Sequence, residues 1–151
     1  MRAVIQRVIS ASVTVNGGTP RGIGPGLVIL LGVGENDTLA IVPRLAEKCA
    51  GLRIFSDEAG KLNRSAKELG LSALVVSNFT LYGDTSRGMR PSFIRAARPP
   101  LAVDAYERFL LELGLQGLAQ VQHGEFGADM QLSLVNDGPT TIMIDTDDWK
   151  H

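Results

Sequence analysis

The sequence predicts a single α/β domain, and three observations predict it. Near the amino terminus, apolar and polar residues alternate with the period of two that places a strand's side chains on opposite faces. Leu27-Val28-Ile29-Leu30-Leu31-Gly32-Val33 is apolar throughout, the pattern of a strand buried on both faces. Two later stretches repeat apolar residues at helical spacing. The 151 residues, 44% hydrophobic and 21% charged, suit one domain, spanning 1–151, around one core.

Taken in order, Ala3 to Val8 reads as a strand, continued by Ala11-Ser12-Val13-Thr14-Val15. Asn16-Gly17-Gly18 is a hairpin-type turn. A second turn cluster, Gly22 to Gly26, precedes the apolar run at Leu27. Asn36-Asp37-Thr38 offers helix caps, and Leu39, Val42, Leu45, Ala46 and Cys49 follow at helical spacing. Pro43 lacks a backbone donor, so either the helix bends there or it starts nearer Pro43. Gly51 ends it. Leu52 to Phe55 reads as a short strand, Ser56 to Gly60 as a turn, and Arg64 to Leu69 as a helical turn closed by Gly70. Leu71 to Tyr82 reads as a central strand. Leu101 to Leu113 is the second main helix, with Val103, Tyr106, Leu110 and Leu113 on one stripe and Gly114 after its end. Ala119 to Gln122, Met130 to Val135 and Thr141 to Asp145 close the chain as strands. Asn136-Asp137-Gly138-Pro139 turns between the last two. The order is two strands, two strand–helix units and three strands, in mostly antiparallel or mixed sheets.

Several function classes are poorly supported. No apolar run reaches the roughly 18 residues of a membrane helix, and Met1 to Arg7 leads into no signal-peptide core. The chain reads as cytoplasmic, with no membrane partner. Cys49 is the one cysteine, so no internal disulfide exists, and its apolar setting suggests an inert buried thiol. His123, His151 and Cys49 lie far apart in sequence, without zinc spacing, and nothing near His123 suggests a nucleophile–histidine arrangement. No metal and no cofactor are predicted. Gly22-Ile23-Gly24-Pro25-Gly26 lacks the lysine and helix of a phosphate loop. A net charge of −1 and a pI of 6.1 argue against bulk polyanion binding, so any nucleic-acid contact is local. Arg87, Arg90, Arg95 and Arg98 fall close together with no acid between them. They are either ordinary solvated surface or a phosphate contact.

Two segments stand out chemically. Ser77-Asn78-Phe79-Thr80 ends an apolar strand with three polar side chains, and a buried polar group costs roughly 1–3 kcal/mol if unpaired. Read as a strand, Ser77 and Phe79 share one face, and Asn78 and Thr80 the other. The polar groups either bond neighbouring backbone or line a polar pocket. Asn136-Asp137-Gly138-Pro139-Thr140-Thr141 is either a plain tight turn or a Gly-Pro segment with a cis bond. In the second case two carbonyls point the same way, and glycine leaves that backbone open to a ligand.

The resemblance rests on an ordered set of motifs. Met1 to Val8, Gly24-Pro25-Gly26-Leu27, Leu52-Arg53-Ile54-Phe55, Ser77 to Tyr82, Arg90-Pro91-Ser92-Phe93, Phe126 to Met130 and Asn136 to Pro139 resemble the D-aminoacyl-tRNA deacylase family at family spacing over almost the whole chain. The family's Ser-Gln-X-Thr and Asn-X-Gly-Pro-X-Thr signatures fall on Ser77 to Thr80 and Asn136 to Thr141. Asn78 stands where the family usually has glutamine, one methylene longer, and Thr140 where it usually has valine.

The resemblance implies a homodimer with active sites at its interface, acting on the aminoacylated 3′ end of tRNA. It implies hydrolysis of the D-aminoacyl ester, of glycine mischarged on tRNA(Ala) as well, and rejection of L-aminoacyl groups. Gly138 and Pro139 would enter the partner's pocket, hold the substrate's α-amino group with their carbonyls, and fill the space an L side chain needs. Arg7 would lock that loop. Phe79, Phe126 and Met130 would contact the terminal adenosine. Ser77, Asn78, Phe79 and Thr80 form the catalytic segment. Backbone N–H groups near Phe79 and Thr80 are candidate oxyanion donors. Thr80 is read as positioning water rather than as a nucleophile, since no base adjoins it in sequence, and the substrate's 2′-hydroxyl assists. Apart from the resemblance, which has no motif for it, we read the arginine stretch as meeting backbone phosphates near the acceptor end. A deacylase for L-alanyl or other mischarged esters, and a non-catalytic RNA- or protein-binding domain, are the alternatives. A metal hydrolase is poorly supported.

Overall fold

Small and apolar residues at alternate positions produce one long strand, β1 (Arg2–Val15), where the sequence suggests two. The computed structural model describes residues 1–149; His151 lies outside them. Irregular pairing around Val8 shifts the phase of β1's buried residues. Ala3 and Ile5 face one core; Val8, Ala11 and Val13 face another. The strand therefore serves both faces of the sheet in turn.

The turn at Asn16 leads to β2 (Arg21–Ile23), a short strand inside the expected turn cluster, antiparallel to Ala11–Val13. β3 (Gly26–Gly32) is buried on both faces, as its apolar run predicts. Leu27, Ile29 and Leu31 face the helices, and Val28 faces the opposite core. Gly26 is required by packing: a Cβ there would collide with the backbone of Ser72.

A 3-10 turn at Leu39–Ile41 precedes α1 (Val42–Gly51), which places Pro43 in the first turn, where its missing donor costs nothing. Val42, Leu45, Ala46, Cys49 and Ala50 form its buried stripe. The strand expected at Leu52–Phe55 is reduced to β4 (Phe55–Ser56), paired with β5 (Leu62–Arg64) in a separate two-stranded ribbon. α2 (Ala66–Leu69) is a single turn with a Ser65–Glu68 capping box and a left-handed Gly70 at its end.

The central strand is shorter than its apolar pattern suggests. β6 (Ser72–Ser77) stops at Ser77, and Phe79–Tyr82 forms a 3-10 turn. The strand alternation expected for Asn78 to Thr80 therefore does not apply. α3 (Leu101–Gly114) buries Ala102, Ala105, Tyr106, Phe109 and Leu113. That stripe is rotated from the expected one: Val103 is only partly buried, and Phe109 is a centre of packing. β7 (Val121–His123) then runs parallel to β6, as β6 does to β3.

β8 (Met130–Asp145) replaces the last two expected strands. Both halves pair antiparallel with β1, from Met130 opposite Val15 to Asp145 opposite Arg2. A strand as long as β1 gives both halves one partner, so no reversal is needed. The expected turn is instead a wide bulge. Asn136 pairs with Val8 and Thr141 with Gln6, so Asp137 to Thr140 protrude opposite Arg7.

The result is a mixed sheet in a compact α/β domain. Helices α1 and α3 pack on one face over the larger core. The far ends of β1 and β8, with β2, fold over the other face. Arg21 of β2 reaches β7 there, its Nη1 donating to the His123 carbonyl at 2.9 Å. No helix is long and apolar enough to cross a membrane among the described residues.

Candidate active site

The end of β6 opens into a cavity of about 530 Å³. Ser77, Asn78, Phe79, Phe126 and Met130 line it, together with Phe93, Arg98 and Tyr106. Its walls come from three places in the fold. β3 and β6 supply the floor, α3 with the loop before it one side, and the segment before β8 the other. A polar strand end thus meets an aromatic rim.

Asn78 sets the local geometry. Its N–H donates to the Leu31 carbonyl at 2.8 Å, an extension of the β3–β6 pairing. Its side chain turns back to cap the following 3-10 turn. Oδ1 accepts from the Thr80 N–H at 3.2 Å and from the Thr80 hydroxyl. This is the Asx-type local bond that lets a short amide end one element and begin another. Of the two backbone donors expected near the site, Thr80 N–H is thus engaged. Phe79 N–H opens the turn and has no partner within it.

The cap lifts Phe79 to the rim, where it is 56% exposed. Its ring meets Phe93 edge to face, centroids 5.1 Å apart at 78°. On the far side Phe126 tilts against Tyr106 at 6.2 Å. The Tyr106 hydroxyl donates to the Val75 and Gly124 carbonyls, both at 3.4 Å. Burial pushes it up to about 12, so it is a neutral donor at ordinary pH. Arg98 and Tyr106 are the only ionisable side chains in the lining, which contains no carboxylate, imidazole or amine. Among the described residues, no group of three or more His, Cys, Asp or Glu side chains could hold a metal ion.

Arg7, Gly138 and Pro139 do not line this cavity. They form a second constellation at the β8 bulge. Arg7 Nε donates to the Asp137 carbonyl at 3.0 Å, and Nη1 to the Ile54 carbonyl at 2.7 Å. The Asp137 carboxylate lies 3.5 Å from Nε. Asn136 braces the bulge from within, accepting from Thr140 N–H at 2.7 Å and donating to the Thr140 carbonyl at 3.2 Å. The Gly138–Pro139 peptide is cis, and so is Pro99–Pro100. Gly138 and Pro139 are both exposed.

The candidate residues thus lie at two places in one chain. Ser77, Asn78, Phe79, Phe126 and Met130 come together at the cavity, and Thr80 adjoins them through Asn78. Phe93 and Tyr106 join them without a distinct sequence signal: Phe93 lies among arginines, and Tyr106 falls on the apolar stripe of a helix.

A family described as D-Tyr-tRNA(Tyr) deacylase matches residues 4–145. A D-aminoacyl-tRNA deacylase of Roseiflexus castenholzii is 58% identical over 97% of this chain and 92% of its own length. One from Akkermansia muciniphila is 54% identical over 97% of each chain. A solved structure described as c-Myc DNA Unwinding Element Binding Protein is similar at a TM-score of 0.87 and 38% identity, covering 96% of this chain and 98% of that one. A probable eukaryotic D-amino acid tRNA deacylase shares the fold at a TM-score of 0.83 and 16% identity, covering 95% of this chain and 97% of that one.

Proposed function

Because the chain belongs to the D-Tyr-tRNA(Tyr) deacylase family, and is therefore a hydrolase, a D-aminoacyl-tRNA deacylase, we propose that it performs chiral proofreading at the cavity beyond β6. The observation that carries this reading is a polar strand end beneath an aromatic rim. Phe79 and Phe126 offer faces for the terminal adenine of any tRNA, since stacking is tolerant of sequence. The aminoacyl ester then lies over Ser77, Asn78 and Phe79.

An aminoacyl ester is already activated, so the chain must place a water near the carbonyl and stabilise the oxyanion. Phe79 N–H is the backbone donor we assign to that charge. Thr80 keeps its hydroxyl bonded to Asn78, and no base lines the cavity to deprotonate it, so we assign Thr80 to positioning and not to attack. The substrate's own 2′-hydroxyl assists. The mechanism uses no metal or cofactor.

Discrimination of handedness falls to the bulge. Gly138 and Pro139 are exposed; their carbonyls would accept from an α-ammonium group, and the loop would fill the volume of an L side chain. Within one chain this loop does not line the cavity. The reading therefore needs a homodimer in which each loop enters the partner's site, with Arg7 holding it. Glycine has no side chain to exclude, so glycyl-tRNA(Ala) is also cut. Such an enzyme works in the cytoplasm, beside translation.

The test is deacylation of purified D-tyrosyl-tRNA and L-tyrosyl-tRNA, with chelator present, by the parent chain and Thr80→Ala. The parent cuts the D-ester and spares the L-ester. Thr80→Ala keeps measurable turnover, reduced on the order of tenfold to a hundredfold. Cleavage of both esters sinks the loop assignment. Inhibition by chelator sinks the metal-free chemistry, and complete loss in Thr80→Ala makes the hydroxyl the nucleophile.

A further inference from the structure

Beside the cavity, residues 83–100 form a loop tied down at both ends. Asp84 and Ser92 exchange backbone hydrogen bonds at 2.8 and 2.9 Å. Further along, Glu35 N–H donates to the Arg95 carbonyl, and Ala97 N–H to the Val33 carbonyl, both at 2.9 Å. The loop is thereby fixed against β3, and its inner side supplies Phe93 and Arg98 to the cavity wall.

Its outer side is unusual in two respects. Arg87, Arg90 and Arg95 there are exposed, as is Arg98 at the cavity wall, and among the described residues none of the four forms an ion pair. Arg2, Arg7, Arg21, Arg64 and Arg108 each do. Asp84, the acid on the loop, accepts from Ser86 N–H. Between these cations stand Met89, 99% exposed, and Ile94, 80% exposed. Water-exposed apolar side chains interleaved with unpaired guanidinium groups lack an internal reason, in a chain whose net charge is only −1.

We infer that this loop is the docking surface for the unpaired 3′-terminal nucleotides of the RNA, upstream of the residue held in the cavity. The inference rests on the deacylase reading for its direction. A terminal nucleoside over Phe79 and Phe126 leaves its 5′ phosphate at the rim, where Arg98 lines the wall. Arg87, Arg90 and Arg95 continue the positive track outward for the next phosphates. Met89 and Ile94 offer apolar surface to unstacked bases. A duplex would bury its bases and leave those two side chains unused, which favours the single-stranded end. Recognition is through backbone charge, so it admits many tRNA sequences.

The experiment compares the parent with the triple variant Arg87→Gln, Arg90→Gln, Arg95→Gln. Arg98 is left intact because it belongs to the cavity. Two esters are used, D-tyrosyl-tRNA and 3′-D-tyrosyl-adenosine, which has no upstream phosphate. The variant loses on the order of tenfold or more in kcat/KM on the tRNA ester relative to the nucleoside ester, mostly through KM. The logarithmic salt slope for tRNA flattens by about 2, at roughly 0.7 for each phosphate released on a single strand. Equal losses on both esters, or an unchanged salt slope, overturn the inference.

Binding of uncharged RNA reads the same surface without chemistry. A short oligoribonucleotide ending in an unpaired 3′ tail binds the parent more tightly than a blunt duplex, and the variant removes that preference. Equal binding of the two RNAs overturns the single-strand assignment. If the parent cuts neither ester yet the variant still loses RNA binding, the deacylase reading falls and the arginine surface stands.

Discussion

Single side chains fix where the two candidate segments end and what they expose. Asn78, one methylene shorter than the glutamine of the signature its segment resembles, makes a local cap on Thr80. The shorter amide serves the turn that presents Phe79. Gly138 is constrained more severely. Its φ is +137°, and a Cβ there would lie 2.5 Å from Thr140 Oγ1 and 3.2 Å from Arg7 Nη2. Gly138→Ala should lower deacylation of D-tyrosyl-tRNA at least tenfold. It should reduce unfolding free energy by only about 1–3 kcal/mol, because the bulge is exposed. Parent-like kinetics in that variant would remove the loop from the mechanism. Cys49 illustrates the opposite case, a reactive element made inert by packing. Burial raises its thiol from 9.0 to about 12. It should not react with an aromatic disulfide reagent at pH 8 until the protein is unfolded. The unfolded thiol ionises first, so this group's contribution is intact below about pH 9 and fades as pH rises toward about 12. Cys49→Ala should remove that part of the alkaline decline, read from denaturant melts at pH 8 and pH 10.

Elements owe their ends to identifiable residues. Pro43 starts α1 and Asn78 stops β6. Ser65 starts α2 with a reciprocal cap, accepting from Glu68 N–H while Glu68 Oε1 accepts from Ser65 N–H, both at 3.2 Å. A helix of four residues has little stability of its own, so this cap and the burial of Ala66 hold it. Ser65→Ala should cost about 1 kcal/mol in a urea melt and leave deacylation unchanged. No loss would mean that packing alone holds α2. The β8 bulge follows the same logic at larger scale. Regular pairing on both sides of Asp137 to Thr140 lets a stiff ladder carry a projecting loop at a fixed place.

At the scale of the molecule, the cavity and the Gly138–Pro139 bulge are separate in one chain, while the proposed reaction needs them together. Ile9, Val135 and Met143 lie on β1 and β8, each more than half exposed. These are the strands that carry Arg7 and the bulge, and exposed apolar side chains there suit contact with a second copy. Sedimentation should give a dimer at micromolar concentration, and the thermal midpoint should rise with protein concentration. A monomer with full activity would break the proposal that the loop works across an interface.

Periodicity alone determined the strand character of β1, β3 and β6 and the existence of α1 and α3, because alternation and helical spacing are local properties. The same local patterns placed Gly70 at the end of α2 and admitted a start of α1 near Pro43. The motif order identified the family, and with it the two segments from Ser77 and from Asn136. What the sequence left undecided was set by partners distant in the chain. β8 is one strand because β1 is long enough to pair with both halves. β3 is buried on both faces because helices cover one side of it and the far ends of β1 and β8 the other. Phe93 and Tyr106 joined the site because the loop before α3 and α3 itself pack beside the end of β6. Such meetings depend on three-dimensional packing of segments far apart in the chain, which local periodicity does not record.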